Sequence, residues 1–193
     1  MIAVDTNILV YAHRQELPKH KPALKWLRHL TEGNAPWGLP VFCLGEFVRV
    51  VTHTRVFQPP STLDQALSAL NGLLGSPTLR ILSPGARYPQ LFREAARSAD
   101  ARGNLVFDAQ IAAVCAEHGA VSLLTLDRDF SRFPAIRLLS VEQDPWRRAR
   151  ATRTYGSHAP DHSMEANRAC AAAVRHGFRV PGSCRGQLPS IST

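Results

Sequence analysis

Short apolar runs alternate along the chain with longer segments whose apolar residues recur every three or four positions. Ile2–Val4 is the first such run, read as a buried strand that ends at Asp5. Thr6–His13 turns from it into a short helix. Pro22 suits a helix start, and Leu24, Leu27 and Leu30 follow at helical spacing until Gly33 stops them. Between Pro36 and Pro40 there is room only for a short strand, Trp37–Leu39. Val41–His53 reads as a strongly apolar helix. Thr62 and Gln65 form a capping box ahead of a helix that sets Leu63, Leu67, Leu70 and Leu74 on one face. Arg80–Leu82 is a short strand. Leu91–Arg102 is an amphipathic helix ended by Gly103, and Phe107–His118 is another, ended by Gly119. Val121–Thr125 is a buried strand leading to Asp127, and Ile136–Val141 is the last strand.

Short apolar strands alternating with helices predict an α/β fold: a parallel sheet with helices on both faces. In such sheets the ligand site lies beyond the carboxyl ends of the strands. The residues that follow each strand therefore carry the most information about function.

The chain has 193 residues, enough for one domain with a full core and short for two. Hydrophobic residues make up 45% and charged residues 20%, which excludes disorder over the whole length. No apolar run approaches the ~18–20 residues of a membrane span. The net charge of +8 suggests nucleic acid, but it is unevenly spread. Residues 1–147 carry +3. Residues 148–193, with seven Arg and two acids, carry +5 and almost no large aliphatics. The expectation is one folded domain over 1–147 and a basic, largely disordered tail over 148–193, with Met164–His176 able to form one short helix. Cys43 and Cys115 fall in apolar helical runs and read as buried free thiols of a reducing compartment, and the N-terminus has no signal-peptide pattern. A cytoplasmic protein is expected.

Four carboxylates stand apart. Asp5 follows the first strand and Asp127 the Leu123–Leu126 segment, with Asp129 two residues on. Glu46 shares a helical face with Phe42, Cys43 and Val50, and Asp108 one with Ile111, Ala112 and Cys115. An acid on an apolar face is costly to bury unless something pairs with it. Each has an ordinary reading: Asp5 or Asp127 as a turn or N-cap residue, Asp108 as a helix cap, Glu46 as the partner of Arg49. Four acids at one sheet edge, with no basic cluster of matching size, call for a common explanation. Hard divalent cations take oxygen ligands, so Mg²⁺ or Mn²⁺ would balance the charge and bring Lewis acidity for phosphoryl chemistry.

Together VDTNILVYA (4–12), the lone Glu in LGEFVRVV (44–51), GNLVFDAQIAA (103–113) and LLTLDRDF (123–130) resemble the PIN-domain ribonucleases, and more narrowly the VapC toxins of bacterial toxin–antitoxin pairs. The resemblance covers about residues 1–142. It implies a three-layer α/β/α sandwich around a short-stranded parallel sheet. It also implies a toxic, Mg²⁺- or Mn²⁺-dependent endoribonuclease. Its metal-binding and catalytic acids fall on Asp5, Glu46, Asp108 and Asp127, with Asp5 and Asp108 as the main ligands. Thr6 and Thr125 match hydroxyl residues that orient carboxylates or bind water, and Asp129 is an auxiliary acid. In-line hydrolysis would leave a 5′-phosphate and a 3′-hydroxyl. A small antitoxin, a homodimer and an RNA substrate are the implied partners. Candidate phosphate contacts are Arg14, Lys19, Lys21, Arg49, Arg55, Arg128 and Arg132, each of which also reads as a solvated surface charge. Two rival readings are an interaction protein acting mainly in a DNA-bound antitoxin complex, and a metal-dependent phosphohydrolase of small substrates.

Overall fold

The structure is a computed structural model, and it describes residues 1–145. The basic tail over 148–193, its expected helix and Cys170 and Cys184 lie outside the described residues.

Among the described residues five short strands form one sheet: β1 (Ile2–Val4), β2 (Trp37–Pro40), β3 (Leu79–Leu82), β4 (Ser122–Leu124) and β5 (Arg137–Leu139). Their spatial order is β3-β2-β1-β4-β5 and every pairing is parallel. Crossovers between parallel strands need helices, and six are present among the described residues: α1 (Thr6–His13), α2 (His20–Glu32), α3 (Phe42–Val51), α4 (Leu63–Leu74), α5 (Tyr88–Ser98) and α6 (Leu105–Glu117). They pack in two groups, α1 with α2 and α3 and α3 with α4, and α5 with α6, which makes the expected α/β/α sandwich. Helices bury the central strands β1, β2 and β4, which read as continuous apolar runs rather than alternating ones, whereas the edge strands β3 and β5 expose Arg80, Ile81 and Arg137. Ala3, Val4, Leu39, Leu123 and Leu124 have no solvent exposure, and Trp26, Trp37, Phe47 and Phe130 are the largest side chains sealed in the core. Cys43 and Cys115 are buried and free.

Two helices depart from the sequence reading. On α4 the capping box is present, with the Thr62 side chain accepting from Gln65 N and the Gln65 side chain accepting from Thr62 N. The leucine stripe, however, is not the buried face. Ala66, Ala69, Leu70 and Leu73 are buried, whereas Leu63, Leu67 and Leu74 are 57%, 44% and 43% exposed. Both stripes have helical period. The alanine-containing one lets α4 lie close against α3, and close packing outweighs leucine count at a helix on the rim.

The second departure is α5, which starts at Tyr88 with Pro89 in its first turn and stops at Ser98 rather than running to Gly103. Asp100 takes the left-handed conformation (φ 46°), and Ala101 N bonds back to Ala96 O at 2.8 Å, closing the helix one turn earlier. Gly119 behaves as expected: at φ 65° it ends α6, with Ala120 N bonded to Cys115 O at 2.8 Å.

Candidate active site

The register of β1 and β4 builds the centre of the site. Val4 is opposite Leu124, and Asp5 N donates to Leu124 O at 3.1 Å, so the residues just after the two strands, Asp5 and Thr125, meet. Asp5 then caps α1, its Oδ1 accepting from Thr6 N at 2.7 Å. The N-cap reading and the site reading of Asp5 are thus both true of one side chain.

Hydroxyls and one amide connect the acids. Thr125 Oγ1 donates to Asp5 Oδ2 at 2.7 Å and accepts from Asn7 Nδ2 and from Asp127 N, each at 2.9 Å. One proton and two lone pairs are all in use, so this hydroxyl has no rotational freedom left. Thr6 Oγ1 donates to Glu46 Oε2 at 2.8 Å, linking the start of α1 to α3. Asp129 N donates to Asp127 Oδ1 at 2.8 Å, which shapes the loop after β4. Asn7 was not singled out from the sequence, yet its side chain bonds Asp5 and Thr125 and accepts from Leu126 N at 3.2 Å. The polar pair Thr6–Asn7, directly after an acid at a strand end, was the available signal.

Burial is distributed differently from the sequence expectation. Glu46, in the second turn of α3, and Asp108, in the first turn of α6, are only half-buried and open to solvent, while Asp127 and Asp129 are exposed. The acid that is sealed is Asp5, 4% exposed. Burial pushes its carboxyl up to about 7, against the opposing pull of the Thr125 and Thr6 hydrogen bonds, and the charges of Glu46 and Asp108 add to the rise. Asp108 is pushed up to about 6, first by burial and then by the charges of Asp127, Glu46 and Asp129. Asp108 is not the cap of α6. Asn104 holds that position, without a side-chain capping bond.

Arg49 is the only basic side chain ion-paired with any of these acids among the described residues, at 3.3 Å from Glu46 Oε1 and two-thirds exposed. Arg14 is not brought to them. It sits at the far end of α1, where its guanidinium bonds Glu16 Oε1 (2.6 Å), Ser61 Oγ (3.2 Å) and Pro59 O (3.0 Å) and covers the Phe57 ring at 4.3 Å. This is a structural anchor rather than a contact beside the acids. Lys19 pairs with Glu142. Arg128 is exposed at the turn between Asp127 and Asp129. His13 bonds Ser61 Oγ at 2.9 Å, and burial together with the Arg14 charge lowers its imidazole to about 4.

Glu46, Asp108 and Asp127 border two cavities. One, of about 740 Å³, is also lined by Phe42, Arg49, Asn104, Phe107 and Asp129. The other, of about 190 Å³, includes Asp5, Thr6, Asn7 and Tyr11. The donors are all oxygen, the kind that suits a hard divalent cation, and the carboxyls of Asp5 and Asp108 are raised first by burial and then by neighbouring acid charges. In kind, the residues fit such an ion. Among the described residues no three acids stand close enough together to form a closed set of ligands.

A family model, "PIN domain", matches residues 2–136. Ribonuclease VapC43 of Mycobacterium tuberculosis is 42% identical over 137 residues, covering 71% of this chain and 92% of that protein. Ribonuclease VapC25 of the same organism is 34% identical over 137 residues, covering 71% and 96%. Among solved structures, VapBC2 from Rickettsia felis, bound to a DNA fragment from its promoter, superposes with a TM-score of 0.52 at 23% identity, covering 72% of this chain and 98% of that one. FitAB bound to a DNA fragment gives 0.53 at 18% identity, covering 74% and 96%. These two likenesses are of fold.

Proposed function

This chain belongs to the PIN-domain family, and from that we propose that it is the toxin of a toxin–antitoxin pair, an endoribonuclease that hydrolyses RNA with a divalent cation, Mg²⁺ or Mn²⁺. The observation that carries the reading is the convergence of Asp5, Glu46, Asp108 and Asp127 on one sheet edge with two of their carboxyls raised. Ribonuclease relatives that match this chain over nearly their own full length support the substrate class.

In this reading Asp5 and Asp108 are the main ligands, and Glu46 and Asp127 complete the pocket. The cation, when bound, supplies Lewis acidity toward the phosphate and lowers the pKa of a coordinated water. Thr125 and Thr6 hold Asp5 and Glu46 in place, as outer partners of ligating carboxylates do. Asp129 steadies the loop that carries Asp127. A water oxygen attacks phosphorus in line, the bond to the 3′ oxygen breaks, one of the carboxylates takes the attacking water's proton, and the leaving 3′ oxygen takes a proton from solvent. The products carry a 5′-phosphate and a 3′-hydroxyl. Arg49 and Arg128, exposed around the acids, receive the flanking phosphates.

A small antitoxin protein is the proposed partner, as in the antitoxin-bound complexes of like fold. A homodimer and a cytoplasmic location are proposed as well. Among the described residues no helix is long and apolar enough to cross a membrane.

Purified full-length protein incubated with a mixed RNA substrate and Mg²⁺ tests the reading. Cleavage that is lost in Asp5→Ala and Asp108→Ala, and lost on chelation, supports it. Variants that cleave as well as wild type overturn the assignment.

A further inference from the structure

Phe107 is 60% exposed, in the first turn of α6 and directly before Asp108. A single exposed aromatic is ordinary on a protein surface. This one lines the same cavity as Glu46, Asp108 and Asp127, with the two-thirds-exposed Arg49 also on that cavity. The other ring there, Phe42, is already engaged: it lies 6.0 Å from Tyr88, which stacks on Phe92 at 5.9 Å and 15°. Phe107 has no ring contact among the described residues, so its face is unused by the fold.

The cavity thus combines crowded carboxylates with one bare apolar ring. A small cation would use the first and leave the second wet. An apolar ligand would bury the ring and desolvate the acids at a cost. A nucleotide presents a flat base that suits the ring and, one sugar away, a phosphate that the acids would receive only across the divalent cation of the proposed function, since phosphate and carboxylate repel. Phe107 and Asp108 are consecutive on one helix turn and line the same cavity, so the two contacts lie at short separation.

We propose that Phe107 is a substrate-positioning residue, the platform on which an unpaired base flanking the cleaved phosphodiester stacks while its phosphate lies at the acids. This rests on the ribonuclease reading and adds the means of holding the substrate. Ring-on-base stacking requires a base free of its own stack, so the bound segment is single-stranded at that point. Phe107 offers no hydrogen-bonding group, so it holds a base without selecting which one.

The test uses the full chain, Mg²⁺ and a single-stranded RNA oligonucleotide that wild type cuts at one bond, with versions carrying an abasic nucleotide on either side of that bond. Phe107→Ala should lower kcat/KM on intact RNA by roughly 10- to 100-fold, the effect of removing one stacked base. Phe107→Trp should stay within about 3-fold. An abasic nucleotide at one flanking position should lower wild-type cleavage by a similar factor and leave Phe107→Ala almost unaffected. The proposal is overturned if Phe107→Ala cuts intact RNA like wild type. It is also overturned if the variant loses activity equally on intact and abasic RNA; a shift of that variant from dimer to monomer would then identify a second copy of the chain as what covers the ring. If wild type and Asp108→Asn act on RNA alike, the ribonuclease reading fails and this proposal falls with it.

Discussion

Helix α1 has a carboxylate cluster at its N-terminus and a histidine–arginine cluster at its C-terminus, and the two are built in opposite ways. They are eight residues apart, about 12 Å along the axis. At the C-terminal end the polar groups are matched with one another. Arg14 has Glu16, Ser61 and the Pro59 carbonyl, and His13 is held neutral against Ser61 and the Phe47 ring, 5.4 Å away. At the N-terminal end Asp5 and Glu46 are held by hydrogen bonds, but the charges are not matched: Asp5 and Asp108 face other acids, and Arg49 answers only Glu46. Polar groups that satisfy each other hold a fold together. Like charges held together cost stability, and they persist where something outside the chain completes them.

The largest expected difference between the two ends is in activity. Asp108→Asn should reduce RNA cleavage by about 10²–10⁴-fold while the unfolding midpoint stays the same or rises, since a crowded anion has been removed. A variant that retains cleavage within about 3-fold, measured by oligonucleotide turnover, would erase the distinction.

The next difference is in the sign of the pH dependence. Asp5 has a raised folded-state pKa, so between about 4 and about 7 the folded state binds more protons than the unfolded, and stability falls as pH rises through that window. Three units correspond to at most about 4 kcal/mol, at 1.36 kcal/mol per unit. His13 has a lowered pKa, so between about 4 and the usual 6.5 the unfolded state binds more protons, and stability falls as pH drops. The two slopes oppose each other. Asp108, also raised, adds to the Asp5 slope, so denaturant unfolding in chelator should show wild type losing stability as pH rises from about 4 to about 6.5. Asp5→Asn should flatten that profile, and His13→Gln should steepen it. Parallel profiles for the two variants would refute the assignment of opposite signs. Adding Mg²⁺ should stabilise wild type most at the neutral end, where the carboxylates are charged.

Smaller effects should follow at single links. Thr125→Val leaves Asp5 Oδ2 and Asp127 N without their hydroxyl partner and should cost about 1–3 kcal/mol together with much of the cleavage. Thr125→Ser should restore both, whereas equal loss in the two variants would mean that packing of the methyl, not the hydroxyl, matters. At the other end, Arg14→Met should cost about 1–2 kcal/mol through Glu16, Ser61 and Pro59 and leave kcat/KM unchanged. A loss of RNA affinity in that variant would return Arg14 to the substrate-binding set.

Much of this was legible in the chain. Short apolar runs located five strands because a parallel strand buried on both faces has no alternation to hide it, and Asp5 and Asp127 stood out because each follows such a run. Glu46 and Asp108 stood out as charges among apolar neighbours, although they open to a cavity instead of lying sealed. Other features were less legible. The leucine stripe of α4 and the alanine-containing stripe beside it have the same period, and only the neighbouring helix selects between them. The end of α5 depended on an Asp taking a conformation usually left to Gly. Arg14 and Arg49 look alike as letters, yet one is spent on the fold and the other is exposed at the site.

Local chemistry therefore determined the elements, the sheet class and the identities of the acids, since periodicity, caps and turn residues act over a few positions. Which carboxylate is buried, which hydroxyl holds it and which arginine remains available were decided by tertiary structure. Asp5 and Thr125 are 120 residues apart and meet only because β1 pairs with β4 in one register. A pKa responds to that assembled surrounding, to burial and to neighbouring charge, and no run of sequence contains it.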